Sequence, residues 1–280
     1  MSQSPRRRAA VLGHPISHSL SPVLHRAAYQ QIGLDWEYEA HDVDEAGLPG
    51  FLDGCGPEWA GLSLTMPLKR AVLPLLDAVS DLVEIVGGAN TVLMGPTGRV
   101  GHNTDVTGIV EALRGIGVEP GPAVVLGGGA TAASALAALD RLGCRRVVVH
   151  ARRPEAAAAL HPVAERLGLE LEIAGWPTDL PARGRASIVV CTVPADAAVV
   201  LAGRVPDYPG WLLDVSYSPW PPPLVAAWQA AGGRAVAGDE MLLHQAVEQV
   251  RLMTGETPDA ATMRRALRAE LERRRAAQGA

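Results

Sequence analysis

Lysine is almost missing from this chain. Among 25 Lys and Arg residues, Lys69 is the only lysine. Arginine stays protonated throughout the working pH range, whereas a lysine amine can give and take a proton. Cysteine is scarce too: Cys55, Cys144 and Cys191 are odd in number, scattered, and lack metal-ligand spacing. This excludes a disulfide framework, gives no metal site, and fits a reducing, cytoplasmic setting. No stretch approaches the roughly 20 apolar residues of a membrane span. The apolar run Ala9–Leu12 is too short for a signal-peptide core. Positive charge is not in excess. A formal charge of −5 argues against a nucleic-acid partner. The basic runs Arg6-Arg7-Arg8 and Arg273-Arg274-Arg275 read as solvated ends. Internal repeats and low-complexity linkers are also missing.

What is present is globular. The chain has 280 residues, 48% of them hydrophobic and 20% charged, enough for two domains of ordinary size. Short apolar runs alternate with longer helical patterns, the signature of an α/β fold with parallel strands. Strands are expected at 9–13, 36–40 and 61–65, with helices from Pro22 to about Ile32 and from Pro67. A Gly/Pro turn at 95–98 makes a hairpin of 91–100, and a helix follows through Leu113. The Gly/Pro-rich break 115–122 marks the expected domain boundary, and a second α/β run follows: strand 123–126, helix to Leu142, strand 145–151. Further strands are expected at 169–174, 187–191 and 211–215, then amphipathic helix over 240–275.

Within that second run, Gly127-Gly128-Gly129-Ala130-Thr131-Ala132 follows a strand and opens a helix, matching G-x-G-x-x-A. Such a turn lets backbone N–H groups and a helix N-terminus approach a pyrophosphate. The next strand ends in Ala151-Arg152-Arg153, where an NAD-binding domain offers an acidic residue to the ribose. Guanidinium groups there suit a 2′-phosphate, so NADP is favoured over NAD.

The first half must bind something else. Its segment Gly13-His14-Pro15-Ile16-Ser17-His18-Ser19-Leu20-Ser21-Pro22 puts Ser21 at an expected N-cap before a proline. Ser19 and Ser21 would present hydroxyls at a helix N-terminus, a corner suited to a carboxylate. Lys69 lies in the first turn after Pro67, where the helix dipole disfavours a cation but a proton-transfer group is well served. Thr65 precedes it, Asp105 is a candidate carboxylate partner, and Asn90 adds an amide. Together these polar residues at strand ends describe a site for a small polyhydroxylated substrate.

With those residues in place, the chain resembles the shikimate dehydrogenase family. The matching segments are His18-Ser19-Leu20-Ser21-Pro22, Thr65-Met66-Pro67-Leu68-Lys69, Gly88-Ala89-Asn90-Thr91, Asn103-Thr104-Asp105, Tyr217-Ser218-Pro219 and Met241-Leu242-Leu243-His244-Gln245. They occur in the family's order along nearly the whole chain. The resemblance implies an N-terminal α/β substrate domain over 1–105 and a Rossmann-like NADP-binding domain over 106–238. It implies C-terminal helices over 239–280 that return to the substrate domain. It implies a catalytic pair, Lys69 and Asp105, with Ser19, Ser21, Thr65, Asn90, Tyr217 and Gln245 as further substrate contacts. On the cofactor side it implies Gly127, Gly128, Gly129, Ala130, Thr131, Arg152, Arg153, Thr192, Val215, Gly238 and Met241, with Asp81 as a weaker position. The implied reaction is NADPH-dependent reduction of 3-dehydroshikimate to shikimate, by a monomer or homodimer. A quinate- or aminoshikimate-type dehydrogenase and a non-catalytic regulatory relative stay open as alternatives. Departures from the family's usual residues are Ser63, His102, Ala130, Ala151, Arg153, Cys191-Thr192-Val193 and Pro222.

Overall fold

The computed structural model describes residues 7–182 and 187–278. Contacts divide the chain into two units: residues through Thr104 together with Gln245–Ala276, and Asp105–His244.

The first unit is built on a mixed sheet. Its elements run β1 (Arg8–Gly13), α1 (Ser21–Gln31), β2 (Glu37–Asp42), α2 (Leu48–Asp53), β3 (Trp59–Leu64), α3 (Leu68–Ala71), β4 (Ala78–Val79), α4 (Asp81–Val86), β5 (Thr91–Gly95) and β6 (Gly98–His102). The strand order is β2-β1-β3-β5-β6-β4. β1 pairs in parallel with β2 and β3, and β5 runs antiparallel to both β3 and β6. β1 and β3 are buried along almost their whole length, as befits central strands covered on both faces. Ala10, Leu12, Leu62, Leu64 and Leu68 form the core with Leu48, Leu52 and Trp59.

Sequence and structure differ here in three places. Leu20, not Ser21, is the N-cap of α1, and no side chain caps it. Ser21 is instead the first helical residue, and the Ser19 hydroxyl accepts its N–H at 3.3 Å. The helix after Pro67 is one turn, followed by a 3-10 turn at Leu73–Leu75, so the dipole it sets at Lys69 is that of four residues. The basic runs are not merely solvated. Arg8 stacks over Trp59 and pairs with Glu39, and Arg7 lies over Trp36. Arg6 lies outside the described residues.

The second unit holds α5 (Asp105–Gly115), β7 (Ala123–Leu126), α6 (Ala130–Arg141), β8 (Arg146–His150), α7 (Pro154–Ala157), α8 (His161–Leu167) and β9 (Glu170–Ala174). It continues with β10 (Ile188–Cys191), α9 (Ala195–Ala202), β11 (Trp211–Asp214), α10 (Pro223–Ala230), β12 (Arg234–Ala237) and the start of α11 (Gly238–Thr254). The Gly/Pro-rich stretch 115–122, expected as the domain boundary, is instead the α5–β7 connection inside this unit, which already begins with α5. All six strands are parallel in the order β12-β11-β10-β7-β8-β9. Strand order reverses between β7 and β10, the place where doubly wound sheets take their ligands. Ala132, Ala133, Ala135, Ala137 and Ala138 are buried on α6, small residues that let the helix lie close to the sheet.

The expected C-terminal helix is two helices. α11 ends at Thr254 and α12 (Ala260–Gln278) follows a turn at Gly255, whose φ is +80°. Both return to the first unit. Met253 of α11 packs over Gly61 of β3, and the Asp259 N–H before α12 donates to Gln31 at the end of α1.

Candidate active site

In the first unit, backbone bonds gather the implied substrate residues at one end of the sheet. The Thr65 N–H donates to Leu12 at 2.9 Å and the His14 N–H to Met66 at 3.0 Å, which sets the loops after β1 and β3 side by side. Gly13 has to be glycine there, because a Cβ would collide with Thr65 and the Met66 carbonyl. The Lys69 carbonyl accepts the Ala89 N–H at 2.8 Å, and the Asn90 carbonyl accepts the Leu64 N–H at 2.7 Å. Ser19, Thr65 and Lys69 are partly exposed there, while Ser21, Asn90 and Gln245 are buried.

Asn90 is the hub. Its Oδ1 accepts the Thr104 N–H at 2.7 Å, and its Nδ2 donates to Thr104 Oγ1 at 2.9 Å and Gln245 Oε1 at 3.3 Å. Burying this many polar groups is tolerable only because they satisfy one another. The serine corner is braced from outside. Arg274 of α12 donates to the His18 carbonyl at 2.8 Å and the Ser19 carbonyl at 3.4 Å, and its Nε bonds Glu270 at 2.6 Å. The two guanidinium groups of Arg273 and Arg274 hold the Glu270 carboxyl down at about 2. Arg274 is a residue the sequence reading missed, since an Arg run at a chain end carries no signal of where its members reach.

Two further residues were missed for a similar reason. His25 is fully buried, its Nδ1 donating to the Ser21 carbonyl at 3.0 Å and its ring stacked on Tyr38 at 3.9 Å. Burial lowers its pKa to about 4, so it is neutral. His14 in the same loop pairs with Asp42, which raises its pKa; Asp42 also accepts the Ile16 N–H at 3.1 Å.

The second unit carries the glycine turn. Gly127 has φ +114°, and a Cβ on it would sit 2.5 Å from Thr192 Oγ1. A Cβ on Gly128 would stand 2.8 Å from the Ala157 Cβ. At Gly129, the N-cap of α6, a Cβ would meet nothing within 4 Å. The first two glycines pack the turn against its neighbours, and the third leaves the helix N-terminus open. Ala130 and Thr131 form the first turn of α6 and are half-buried. Thr192 follows β10 and donates to the Leu126 carbonyl at 2.9 Å, bridging the two strands of the switch point. Arg152 and Arg153 are exposed after β8, and neither guanidinium has a carboxylate partner among the described residues. Val215 follows β11, its N–H on the Cys191 carbonyl at 3.0 Å. Gly238 opens α11 so close to the Val215 carbonyl that a Cβ would overlap it, and Met241 is buried one turn on. Asp214, unremarked in the sequence, is buried beside this loop; burial raises its pKa and the Ser216 N–H on Oδ1 opposes that shift.

Not every expected residue falls with its set. Asp105, the first residue of α5, and Tyr217, in the loop after β11, belong to the second unit, not to the unit that holds the other expected substrate contacts. Asp81, expected on the cofactor side, is exposed at the start of α4 in the first unit.

The sequence model of the shikimate dehydrogenase substrate binding domain matches residues 11–92, and that of the shikimate 5'-dehydrogenase C-terminal domain matches residues 238–268. A shikimate dehydrogenase (NADP(+)) of Thermus thermophilus is 36% identical over 94% of this chain and 98% of its own length. This chain belongs to the shikimate dehydrogenase family. Solved family members agree in fold. The Mycobacterium tuberculosis shikimate dehydrogenase superposes with a TM-score of 0.86 at 42% identity, covering 94% of this chain and 99% of that one. The Thermus thermophilus enzyme in complex with NADP(H) and shikimate gives 0.82 at 36% identity, over 94% and 99%.

Proposed function

We propose that this protein is an NADP-dependent shikimate dehydrogenase, catalysing reversible reduction of 3-dehydroshikimate to shikimate. The observation that carries the reading is the buried Asn90–Thr104–Gln245 cluster on the same chain as Lys69 and the open Gly129 turn. The glycine turn suits NADP. Backbone N–H groups at Gly129 and Ala130 would hold the pyrophosphate, and Arg152 and Arg153 would meet the 2′-phosphate with charge-assisted bonds. When bound, NADPH supplies a hydride for the carbonyl carbon. The chain's own residues do the rest. Ser19 and Ser21 take the substrate carboxylate, in a corner braced by Arg274. Thr65, Asn90, Tyr217 and Gln245 orient the ring hydroxyls. Lys69 delivers its proton to the oxygen as negative charge develops there, with Asp105 as the carboxylate of the pair. Gly238 and Met241 shape the nicotinamide side, with Asp81 as a weaker position on the cofactor side. The three free cysteines fit a cytoplasmic enzyme.

The test is steady-state NADP reduction with shikimate beside quinate, and NAD beside NADP. Shikimate with NADP should give the largest kcat/KM. Lys69→Ala should lose about 10²–10⁴ in kcat, with little change in KM. Lys69→Arg should lose as much, because it keeps the charge and loses the transferable proton. An Arg variant with near-normal kcat would remove Lys69 from proton transfer. Turnover of quinate alone would move the enzyme to the quinate branch.

A further inference from the structure

Behind the Asn90 cluster, side chains without a role so far form one continuous buried chain. Tyr38 Oη donates to Ser63 Oγ at 2.7 Å, and Ser63 Oγ donates to Gln249 Oε1 at 2.8 Å. Gln249 Nε2 donates to Thr91 Oγ1 at 3.0 Å and to the Asn90 carbonyl at 3.2 Å. Thr91 Oγ1 donates to Asn90 Oδ1 at 3.0 Å, and Asn90 Nδ2 reaches Gln245 Oε1. β2, β3, β5 and α11 each contribute a link, and every member is buried. At the far end, the Ser21 hydroxyl lies against Tyr38.

Hydroxyls can donate either way and amides can be turned end for end, so such a chain has two polarities in principle. Two backbone groups remove the choice. The Asn90 carbonyl can only accept, so the end of Gln249 that meets it is the NH₂. The Thr104 N–H can only donate, so the end of Asn90 facing it is the oxygen. Gln249 Oε1 is then left for Ser63, which gives its proton there and accepts from Tyr38. Asn90 Nδ2 likewise faces Gln245, whose Oε1 also lies 3.4 Å from the Thr104 hydroxyl. All links point one way, an arrangement in which each bond polarises the next. The Gln245 oxygen is held inward, and the end turned from Asn90 is its NH₂.

We propose that Tyr38, Ser63, Gln249 and Thr91 are positioning residues for the substrate site: they lock Asn90 and Gln245 in one amide orientation, so that Gln245 meets the ligand as a donor and selects an accepting oxygen. The proposal deepens the shikimate dehydrogenase reading and rests on it for the identity of the ligand. None of the four needs to touch substrate, so the readout must separate positioning from plain stability.

Gln249→Met keeps the length and burial of the side chain but removes both ends of the relay. Its KM for shikimate should rise about tenfold, the size of one net hydrogen bond, while KM for NADP stays within about twofold. Thr91→Val, close in shape, cuts the link between Gln249 and Asn90 and should raise the same KM if Gln249→Met does not fold. Tyr38→Phe removes only the first link and should act more weakly, about threefold. A lowered Tm with both KM values unchanged in the variants that fold would overturn the relay, leaving these residues a structural role. Neutron diffraction of the deuterated wild type supplies a second readout that needs no turnover. Deuterons on Gln249 Nε2 facing the Asn90 carbonyl, and on Asn90 Nδ2 facing Gln245, are expected. The opposite polarity overturns the proposal even if shikimate is turned over. Failure of wild type to oxidise shikimate would sink the functional reading and leave the polarity result standing by itself.

Discussion

Among single residues, His25 couples the serine corner to pH. Its folded pKa is about 4, against an ordinary value of 6.5, because burial disfavours the imidazolium. The unfolded chain therefore takes up this proton first as the solution is acidified. The contribution is complete above pH 6.5 and is lost as pH falls toward 4, by about 1.4 kcal/mol per unit and about 3 kcal/mol in all. Carboxylates titrate at the acid end of that window, so the comparison should be made between pH 6.5 and 5. There the wild type should lose about 2 kcal/mol more than His25→Phe, which keeps the stacking on Tyr38 but cannot titrate. Urea unfolding at each pH measures it, and parallel curves would mean that His25 protonates without cost. Lys69 was conspicuous because nearly every other cation is Arg. His25 was not, because a histidine one turn into a helix looks the same in sequence whether it faces water or a core.

At the scale of elements, the two glycines at helix starts make opposite predictions. Gly129→Ala meets open space, so it should cost about 1 kcal/mol or less in stability, the price of a poorer N-cap. It should nonetheless raise KM for NADP, because the methyl group stands where the pyrophosphate approaches. Gly238→Ala meets the Val215 carbonyl, which belongs to backbone and cannot swing away. It should cost about 3 kcal/mol or more, visible as a lower Tm before any kinetic effect. If both variants lose stability equally, the Gly129 turn is closed in solution and the proposed phosphate site is wrong. These elements also show how far the sequence reaches. Strand–turn–helix at 123–142 was legible because an apolar run, three glycines and a run of alanines each carry their own signal. The family was legible from short segments with fixed internal spacing, such as Thr65-Met66-Pro67-Leu68-Lys69 and Asn103-Thr104-Asp105. Short helices such as α2 and α4 and the two-residue β4 were not, since six residues or fewer hold too little periodicity. The Tyr38–Ser63–Gln249 relay was hidden for another reason: each member sits inside an element where a polar residue passes for a solvent-facing one.

Across the whole chain, the first unit is assembled from two distant stretches, and its C-terminal part contributes contacts to both polar clusters. α11 carries Gln245 and Gln249 into the Asn90 cluster, and α12 carries Arg274 to the serine corner. α12 also buries Met263, Leu267 and Leu271 almost completely. At about 1.5–3 kcal/mol for each such side chain, their loss removes roughly 4–9 kcal/mol, comparable to the entire stability of an ordinary domain. A chain ending at Gly255 should therefore leave the first unit unfolded, although the Lys69 motif and both serines remain in its sequence. The second unit, whose six strands and glycine turn are untouched, should still bind NADP. Hydrogen exchange would show it: fast exchange throughout β1–β6, with protection kept in β7, β10 and β11 and increased by NADP. Arg274→Met isolates the corner from the rest of this effect. It should raise KM for shikimate several-fold with Tm nearly unchanged, since a partly exposed ion pair contributes little to stability. If the truncated chain kept its shikimate turnover, α12 would be an ornament of the first unit, and the corner would have to be held by the Gly13–Leu20 loop alone.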